Sequence, residues 1–320
     1  MPSVNKLAAK ICEKMIEEAG ELNIGYDRLR NGSHVIDTGI RVPGGIQAGL
    51  RSITSCLGGL GNASLASMEI DGMMVPAVNV YTDFPVVPLL CQAMGGYREA
   101  TRGWLNFKAG SYRAIVSGPA RALVHEPKEL FELIGYSDNA DVAVSILQSE
   151  QYPDEVVADE LARRCKVNPE NLYMVLSPLS SMAGSIQVIG RSIENAMLKL
   201  HNLNFDVRKV RHIYGIAPLP PLRSRSINVD DMLSYGSVVY LYVDPAEGTD
   251  LRKLTGKIPS RSAKCYGRPF SEILKESGGF AKIDIDFFAP AEVYVNDLST
   301  GALYRSGSIN GKLLRKMMAI

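Results

Sequence analysis

Two short apolar runs constrain the fold of this 320-residue chain more than any other feature. Residues 142–147 (VAVSIL) and 172–176 (LYMVL) carry no charge, and a helical pattern with Pro153 near its start lies between them. Continuous apolar strands that alternate with helices are typical of a parallel sheet covered on both faces. Because a long helix is predicted at 183–203 and a third strand at 207–216, this region predicts a βαβ-type layer.

The chain changes character after Pro218. Two further prolines, Pro220 and Pro221, and the RSRS stretch at 223–226 indicate a loop. Beyond this loop the residue pattern predicts three strands and one helix, at 237–243, 282–288, 292–295 and 271–276 respectively. The order of these elements favours an antiparallel sheet in the C-terminal part.

Length and element order together predict two domains, since a domain averages about 150 residues. The N-terminal half contributes helices at 4–19 (with Ser3 as N-cap), 46–57, 126–136 and 153–165, a strand at 34–40, and a hairpin of 65–70 and 75–81 around Asp71-Gly72. We predict an α/β (α+β) fold with a βαβ-like central layer at 112–220 that carries the long helix. Residues 1–111 plus 221–320 then form a flanking α+β domain.

Charge and cysteine usage exclude several classes of protein. The 35 basic and 34 acidic residues give a net charge of +1, so the chain lacks the basic footprint of a nucleic-acid binder. Apolar runs fall short of the ~18 residues that span a membrane, and the N-terminus lacks the apolar core of a signal peptide. The five cysteines and four histidines are scattered. We therefore expect a cytoplasmic protein with reduced thiols and without a metal site.

One pair of charged residues stands out within the long predicted helix. Arg191 and Glu194 are three positions apart, which places both side chains on one face of a helix. Residues 182–198 contain no other charge. An ordinary surface ion pair is one interpretation, worth a few tenths of a kcal/mol. The other is a pair that faces a pocket, where burial raises the pKa of a carboxyl group and a guanidinium lowers it, as in a tuned general base.

Three glycine-containing motifs are weaker candidates. The turn SGPARAL at 117–123 could direct backbone N–H groups and Arg121 toward an anion, or it could simply begin a helix. The motif CYGRPF at 265–270 could flank a planar ligand with Tyr266, Arg268 and Phe270, or it could be a structural turn. The LGGLG stretch at 57–61 allows either close approach to a ligand or backbone with positive φ, and it matches no nucleotide-binding motif.

An ordered series of motifs resembles the methenyltetrahydromethanopterin cyclohydrolase family. The motifs run from Ser3 nearly to the end of the chain: SVNKLAAKI (3–11), NGSHVIDTGI (31–40), LGGLG (57–61), TDFPVV (82–87), SGPARAL (117–123), GSIQVIGRSIENA (184–196), YGIAPLPP (214–221), YGRPF (266–270) and FAPAEVYVNDL (288–298). No single motif is specific, but their order along the whole chain is.

The resemblance implies two α/β domains side by side with a pocket between them, and a homotrimer. It implies an enzyme of one-carbon metabolism, in methanogenic or related archaea or in methylotrophic bacteria, that interconverts N5,N10-methenyltetrahydromethanopterin plus water with N5-formyltetrahydromethanopterin. The pterin is the substrate, and no cofactor is implied. The family's catalytic arginine and glutamate fall on Arg191 and Glu194. For substrate binding we expect a further set of residues: Ser117, Gly118, Arg121, Tyr266 and Arg268.

Several segments depart from the family pattern. The differences fall at CQAMGGY (91–97), at RSINVDDML (225–233) and at SAKCYGRPF (262–270), and an additional segment precedes SGPARAL. The Arg191–Glu194 motif is intact. A second hypothesis is therefore a diverged paralogue that acts on, or only binds, a related reduced pterin.

Overall fold

The structure, a computed structural model, describes residues 1–92, 104, 107–222, 224 and 227–318. The chain divides into two compact units, each discontinuous in sequence. Unit 1 comprises Met1–Asn62 and Val87–Val188, and unit 2 comprises Ala63–Val86 and Ile189–Ile320. These bounds differ from the predicted ones, because the N-terminal helices pack with the βαβ layer and only one early hairpin joins the C-terminal part.

Unit 1 is a six-stranded mixed sheet with helices. Its strands are β1 (Gly25–Arg28), β2 (His34–Asp37), β5 (Phe107–Ala109), β6 (Tyr112–Ser117), β7 (Ala143–Gln148) and β8 (Leu172–Leu176), in the order β1-β2-β8-β7-β6-β5. Its helices are α1 (Val4–Glu17), α2 (Ile46–Cys56), α3 (Val87–Cys91), α4 (Arg121–Val124), α5 (Lys128–Ile134), α6 (Glu155–Cys165) and α7 (Met182–Ile189). No helix of the described residues is long and apolar enough to cross a membrane.

The central strands of unit 1 confirm the βαβ prediction. Strands β2, β8 and β7 are parallel neighbours, and α6 connects β7 to β8. Every residue of β8 is buried, as is expected of a strand covered on both faces. Side chains of α6 pack with Met174 and Leu176 on one face, whereas side chains of α1 and α2 pack with Tyr173 and Val175 on the other.

Unit 2 is a second six-stranded sheet with its own helices. Its strands are β3 (Asn62–Ile70), β4 (Met73–Thr82), β9 (Val210–Pro218), β10 (Val238–Val243), β11 (Glu292–Asp297) and β12 (Leu303–Gly307), in the order β12-β11-β10-β9-β4-β3. Its helices are α8 (Ser192–Asn202), α9 (Val229–Gly236), α10 (Leu251–Lys257), α11 (Phe270–Ser277) and α12 (Gly311–Met318). The pairs β4–β9, β9–β10 and β11–β12 are antiparallel and β10–β11 is parallel.

One predicted strand belongs to a different sheet from the expected one, and another predicted strand is absent from the described residues. The strand predicted at 207–216 is β9, which pairs with β4 and β10 in unit 2 rather than with the βαβ layer. Its burial pattern alternates from Ile213 to Ala217, where buried residues alternate with half-buried ones, unlike the continuous apolar run of β8. Alternation is typical of a strand with one solvated face, and this signal was available in the sequence.

The strand predicted at 282–288 is a pair of 3-10 turns. Asp284 explains the difference, since its carboxylate accepts hydrogen bonds from the backbone N–H groups of Asp286 (3.1 Å) and Lys264 (3.0 Å). Such side-chain bonds compete with a strand's ladder. The apolar residues of this segment are buried all the same: the Phe287 ring stacks on Phe270 of α11, with 5.9 Å between centroids.

Candidate active site

The helical conformation is interrupted between α7 and α8, and this interruption determines where Arg191 and Glu194 lie. The prediction of one helix at 183–203 was wrong, because α7 ends at Ile189 and α8 begins at Ser192. Gly190 is a poor helix residue, costing about 1 kcal/mol relative to alanine. Arg191 is therefore the N-cap of α8, and Glu194 lies in the helix's first turn. Side chains at these two positions, N-cap and N3, are able to meet at a helix start.

Both side chains are buried, which excludes the interpretation as a surface ion pair. Arg191 is 6% exposed and Glu194 is 0% exposed. A buried charge is retained only where it is paired or hydrogen-bonded, or where it acts on a ligand. The first turn of a helix also favours a carboxylate through the helix dipole.

The start of α8 packs closely on the sheet of unit 2 at Gly215. A Cβ atom at Gly215 of β9 would lie 2.7 Å from Ser192 Oγ and 2.9 Å from Ile193 Cγ2. Real Cβ atoms do not approach other heavy atoms so closely, so only glycine permits this contact. The glycine of the YGIAPLPP motif thus fixes the position of the turn that carries Glu194.

Helix α9 of unit 2 begins with two further carboxyl groups, those of Asp230 and Asp231. Asp231 closes the N-terminal cap, since its Oδ2 accepts from Asn228 N at 2.9 Å and its Oδ1 accepts from Phe270 N at 2.7 Å. Burial raises the pKa of Asp231 to about 6, although these two backbone bonds lower it. Asp230 is half-buried. Burial and the neighbouring Asp231 raise its pKa to about 7, and the Arg191 guanidinium lowers it.

Sequence reasoning noted Asp230 and Asp231 only as departures from the family pattern. The available signal was local, because Asn228 followed by two acidic residues is typical of a capped helix start. What the local pattern could not show is that Arg191, 39 positions earlier in the chain, acts electrostatically on Asp230.

The turn that holds Tyr266 and Arg268 is anchored on α9. The Tyr235 hydroxyl donates to Arg268 O at 2.6 Å and accepts from the backbone N–H groups of Gly267 and Arg268, both at 3.2 Å. The Tyr235 and Tyr266 rings meet edge to face, with 5.1 Å between centroids. All four predicted residues named so far belong to unit 2: Arg191, Glu194, Tyr266 and Arg268. Helix α9 contacts the turn of Tyr266 and Arg268 through Tyr235, and its Asp230 interacts electrostatically with Arg191.

The guanidinium of Arg268 is held by two glutamates of α11. It donates to both carboxylate oxygens of Glu276 and lies 3.9 Å from Glu272. The Arg268 side chain is 39% exposed. An exposed pair of this kind contributes little to stability, so an incoming anion can compete for this arginine.

The predicted substrate residues Ser117, Gly118 and Arg121 belong to unit 1, where the SGPARAL turn is buried. The Gly118 N–H bonds Cys91 O at 2.6 Å, and the Ala120 N–H bonds Val144 O at 2.9 Å. Because protein carbonyls already accept from these groups, the hydrogen bonds support the structural interpretation of the turn.

Arg121 itself is fully buried within this turn. Its guanidinium donates to the backbone carbonyls of Gln92 and Glu126, the latter at 3.0 Å. The bond to Gln92 cross-links α4 to the end of α3, and the bond to Glu126 holds the residues that follow α4. The assignment of Ser117, Gly118 and Arg121 to substrate binding remains a prediction.

The LGGLG stretch serves helix packing. Gly58 and Gly59 of the LGGLG stretch have positive φ, and a Cβ at Gly58 would lie 2.5 Å from Val4 Cβ. The stretch therefore lets α2 end against α1.

Most of the departing segment 91–97 lies outside the described residues, as do residues 223, 225 and 226 of the predicted loop. Within the described ranges, no group of three His, Cys, Asp or Glu side chains could hold a metal ion.

Comparisons with known proteins identify the family of the chain. The sequence model of the family described as Cyclohydrolase (MCH) matches residues 3–318. The chain is 42% identical to the methenyltetrahydromethanopterin cyclohydrolase of Methanothermobacter marburgensis, over 100% of both chains. It is also 42% identical to that of Methanocaldococcus jannaschii, over 99% of this chain and 98% of the relative. Because these matches span the whole length, the chain belongs to the methenyltetrahydromethanopterin cyclohydrolase family.

Proposed function

We propose that the chain is a hydrolase that interconverts N5,N10-methenyltetrahydromethanopterin plus water with N5-formyltetrahydromethanopterin in cytoplasmic one-carbon metabolism. The observation that carries the proposal is the burial of Glu194 beside Arg191 at the start of α8, in a chain whose curated relatives bear this activity in their names. A fully buried carboxylate at a helix start is a natural general base.

The proposed chemistry uses the reactivity of the substrate itself. The methenyl bridge is a delocalised amidinium cation, so its carbon is electrophilic. Glu194 takes a proton from water as the water oxygen bonds to that carbon. Protonated Glu194 then gives the proton to N10, and the carbon–N10 bond breaks. The hydroxyl proton of the adduct leaves as the formyl C=O forms, so one proton is released for each molecule hydrolysed.

Arg191 has a supporting part in this scheme. Its guanidinium keeps the Glu194 carboxylate in place and orients the water or the formyl oxygen with fixed N–H donors. The activated carbon belongs to the substrate, so the proposed steps draw on no cofactor and no metal.

The direct test is a spectrophotometric assay of methenyltetrahydromethanopterin hydrolysis by the purified protein. We expect a rate that is first order in protein and far above the uncatalysed rate. The alternative, a diverged paralogue that only binds a reduced pterin, predicts saturable binding without turnover. The retained Glu194 favours catalysis, because a protein that only binds the pterin has no use for a general base.

Arg268 and Arg121 provide a contrasting pair of substitutions. If the anionic tail of the substrate reaches Arg268, Arg268→Ala raises KM several-fold and leaves kcat nearly unchanged, because binding is lost equally in the ground and transition states. Arg121→Ala is expected instead to lower the free energy of unfolding by about 2–4 kcal/mol, since the buried carbonyl of Gln92 and the partly buried carbonyl of Glu126 lose their donor. Steady-state kinetics and denaturant unfolding of both variants check this, and an unchanged KM for Arg268→Ala contradicts the first half.

We further propose that the chain forms a homotrimer through the sheet of unit 2. Four tyrosines lie opposite one another on adjacent strands: Tyr81, Tyr214, Tyr240 and Tyr294. Tyr240 and Tyr294 stack at 4.6 Å with a 10° interplanar angle, and Tyr81 is 48% exposed. A partly exposed aromatic row of this kind suits a protein–protein interface.

Sedimentation at micromolar concentration tests the assembly. We expect a trimer for the wild type, and dissociation for Tyr81→Lys because a charge would be buried at the interface. Tyr26→Lys, at a 37% exposed tyrosine of unit 1, is the matched control and should leave the assembly intact. A wild type that sediments only as a monomer removes the proposal.

A further inference from the structure

Helix α8 buries a second charged side chain besides Glu194. Every residue from Ser192 to Leu200 is buried, and the Lys199 side chain is only 2% exposed. Its Nζ atom donates to Asp286 Oδ1 at 2.6 Å and to Ser262 Oγ at 3.0 Å. A lysine is almost never buried to this extent unless it is paired, so these two bonds account for its place inside unit 2.

An ion pair of this kind is a poor source of stability. The cost of removing the Lys199 ammonium from water offsets its attraction to Asp286, whose side chain is 39% exposed. Apolar side chains of similar volume often serve stability equally well in such a position. Apolar contacts have no direction, however, whereas two hydrogen bonds to one ammonium group favour one placement of the helix. The pair is therefore better suited to fixing where α8 lies than to holding the fold.

The first partner of Lys199 leads directly into the motif at 265–270. Ser262 ends a 3-10 turn that begins at Ser260. The Ala263 N–H bonds Ser260 O at 2.9 Å, and the Tyr266 N–H bonds Ala263 O at 3.2 Å. Successive backbone bonds thus connect the turn that Lys199 contacts with Tyr266.

The second partner reaches the other end of the same motif. Asp286 lies in the second of the two 3-10 turns, and the next residue, Phe287, stacks its ring on Phe270 with 5.9 Å between centroids. Phe270 ends the motif and begins α11. Lys199 therefore joins the helix that carries Glu194 to both ends of the segment that carries Arg268.

We propose that Lys199 is a positioning residue, which fixes the register of α8 against the motif at 265–270. Five residues of α-helix place Lys199 about 7.5 Å along the axis from Glu194, so a shift at one position moves the other. Close packing at Gly215 holds the start of this helix, and the ion pair holds its second half. Lys199 touches no reacting atom in this scheme. The kinetic consequence rests on the proposed function, whereas the fixed register does not.

The first test replaces both charges by apolar side chains of similar volume. The double variant Lys199→Met/Asp286→Leu should keep Tm within about 3 °C of the wild-type value. Its kcat should fall by about 10-fold, since small misplacements of catalytic groups are costly. KM should change less than about threefold, because the turn of Tyr266 and Arg268 keeps its own contacts with Tyr235 and α11. A kcat within twofold of the wild type overturns the proposal.

A second variant decides the matter if the double variant does not fold. Asp286→Glu keeps the charge but moves the carboxylate by one methylene group, at a side chain that solvent already reaches. It should leave Tm nearly unchanged and lower kcat about threefold, because the register depends on where the carboxylate lies. An unchanged kcat in this variant overturns the positioning role.

The pair of Arg211 and Asp244 provides a matched control in the same unit. Its Nη2–Oδ2 distance is 2.6 Å, but the two side chains are 49% and 44% exposed. The double variant Arg211→Met/Asp244→Leu removes the same charges from the surface and should leave kcat and Tm nearly unchanged. An equal loss of kcat in this control overturns the proposal, since the effect would then belong to any ion pair of unit 2.

Hydrogen exchange measures the register independently of activity. In Lys199→Met/Asp286→Leu, the backbone amides of residues 195–198 should exchange about 10-fold faster than in the wild type, because α8 opens locally more often. The amides of β7 and β8 in unit 1 should be unaffected. Unchanged exchange at 195–198 means that packing alone holds the helix, and it overturns the proposal. If the wild type does not hydrolyse methenyltetrahydromethanopterin, the proposed function fails and this measurement alone decides the role of Lys199.

Discussion

Replacing Glu194 by glutamine is expected to lower kcat by about 10²–10⁴-fold while the pterin still binds. Glutamine keeps the shape and the hydrogen-bonding reach of glutamate but cannot accept the proton of the attacking water. Burial makes the comparison clean, because a fully buried side chain leaves no room for bulk water to replace it as the base. Stopped-flow or steady-state hydrolysis, together with equilibrium binding of the substrate, measures both quantities.

The fold should survive this change, since glutamine occupies the same volume at the first turn of α8. Circular dichroism and Tm of Glu194→Gln provide the control. A variant that hydrolyses the substrate at the wild-type rate would falsify the general-base mechanism, and it would leave the fold and the family membership untouched.

Arg191→Ala is expected to lower kcat by about 10² or more, and Arg191→Lys by less. Alanine removes both the charge and the fork of N–H donors. Lysine keeps the charge, but its single ammonium cannot hold two oxygens in the plane that a guanidinium provides. Hydrolysis rates of the two variants, measured beside the wild type, establish the order.

The order of the two rates distinguishes charge from geometry. Equal losses in Arg191→Lys and Arg191→Ala mean that the planar donor set is what matters. A lysine variant with the full rate means that charge alone suffices. A wild-type rate for Arg191→Ala contradicts any part for this residue in the reaction. Substrate binding, measured in parallel, separates a loss of affinity from a loss of rate.

Local sequence pattern predicted those elements whose stability is local. The bounds predicted for β8, residues 172–176, are those observed. Ser3 caps α1, with its Oγ accepting from Lys6 N at 3.2 Å, and Asp71-Gly72 forms the turn between β3 and β4. In each case the side chain or the turn residue acts within a few positions, so its effect is visible in a short window.

The predictions that failed did so for several physical reasons. The partition into units depends on β4 pairing with β9, and no window of residues shows a pairing across so long a separation. The helix break at Gly190 was visible as a glycine, but a glycine in a helical pattern is often tolerated. Turns form where a strand was predicted because the Asp284 carboxylate accepts hydrogen bonds from the backbone N–H groups of Asp286 and Lys264.

The candidate site was only half accessible to sequence reasoning. Arg191 and Glu194 stood out because residues 182–198 contain no other charge. Asp230 did not, since its neighbour Asp231 has the same residue type and the difference between them lies in hydrogen bonds. The contact of Gly215 with Ser192 is likewise a matter of close packing, which residue types alone do not disclose.

The early hairpin has a consequence for how the protein is made. Strands β3 and β4 leave the ribosome long before β9, their partner in the sheet. At about 5–20 residues per second, translation needs on the order of ten seconds to proceed from β4 to β9. During this interval the edge of β4 that later pairs with β9 lacks that strand, whereas unit 1 can fold as soon as Val188 has emerged. The first turn of α8 emerges just before β9, so the support that Gly215 gives to Ser192 forms only after most of the nascent chain has been synthesised.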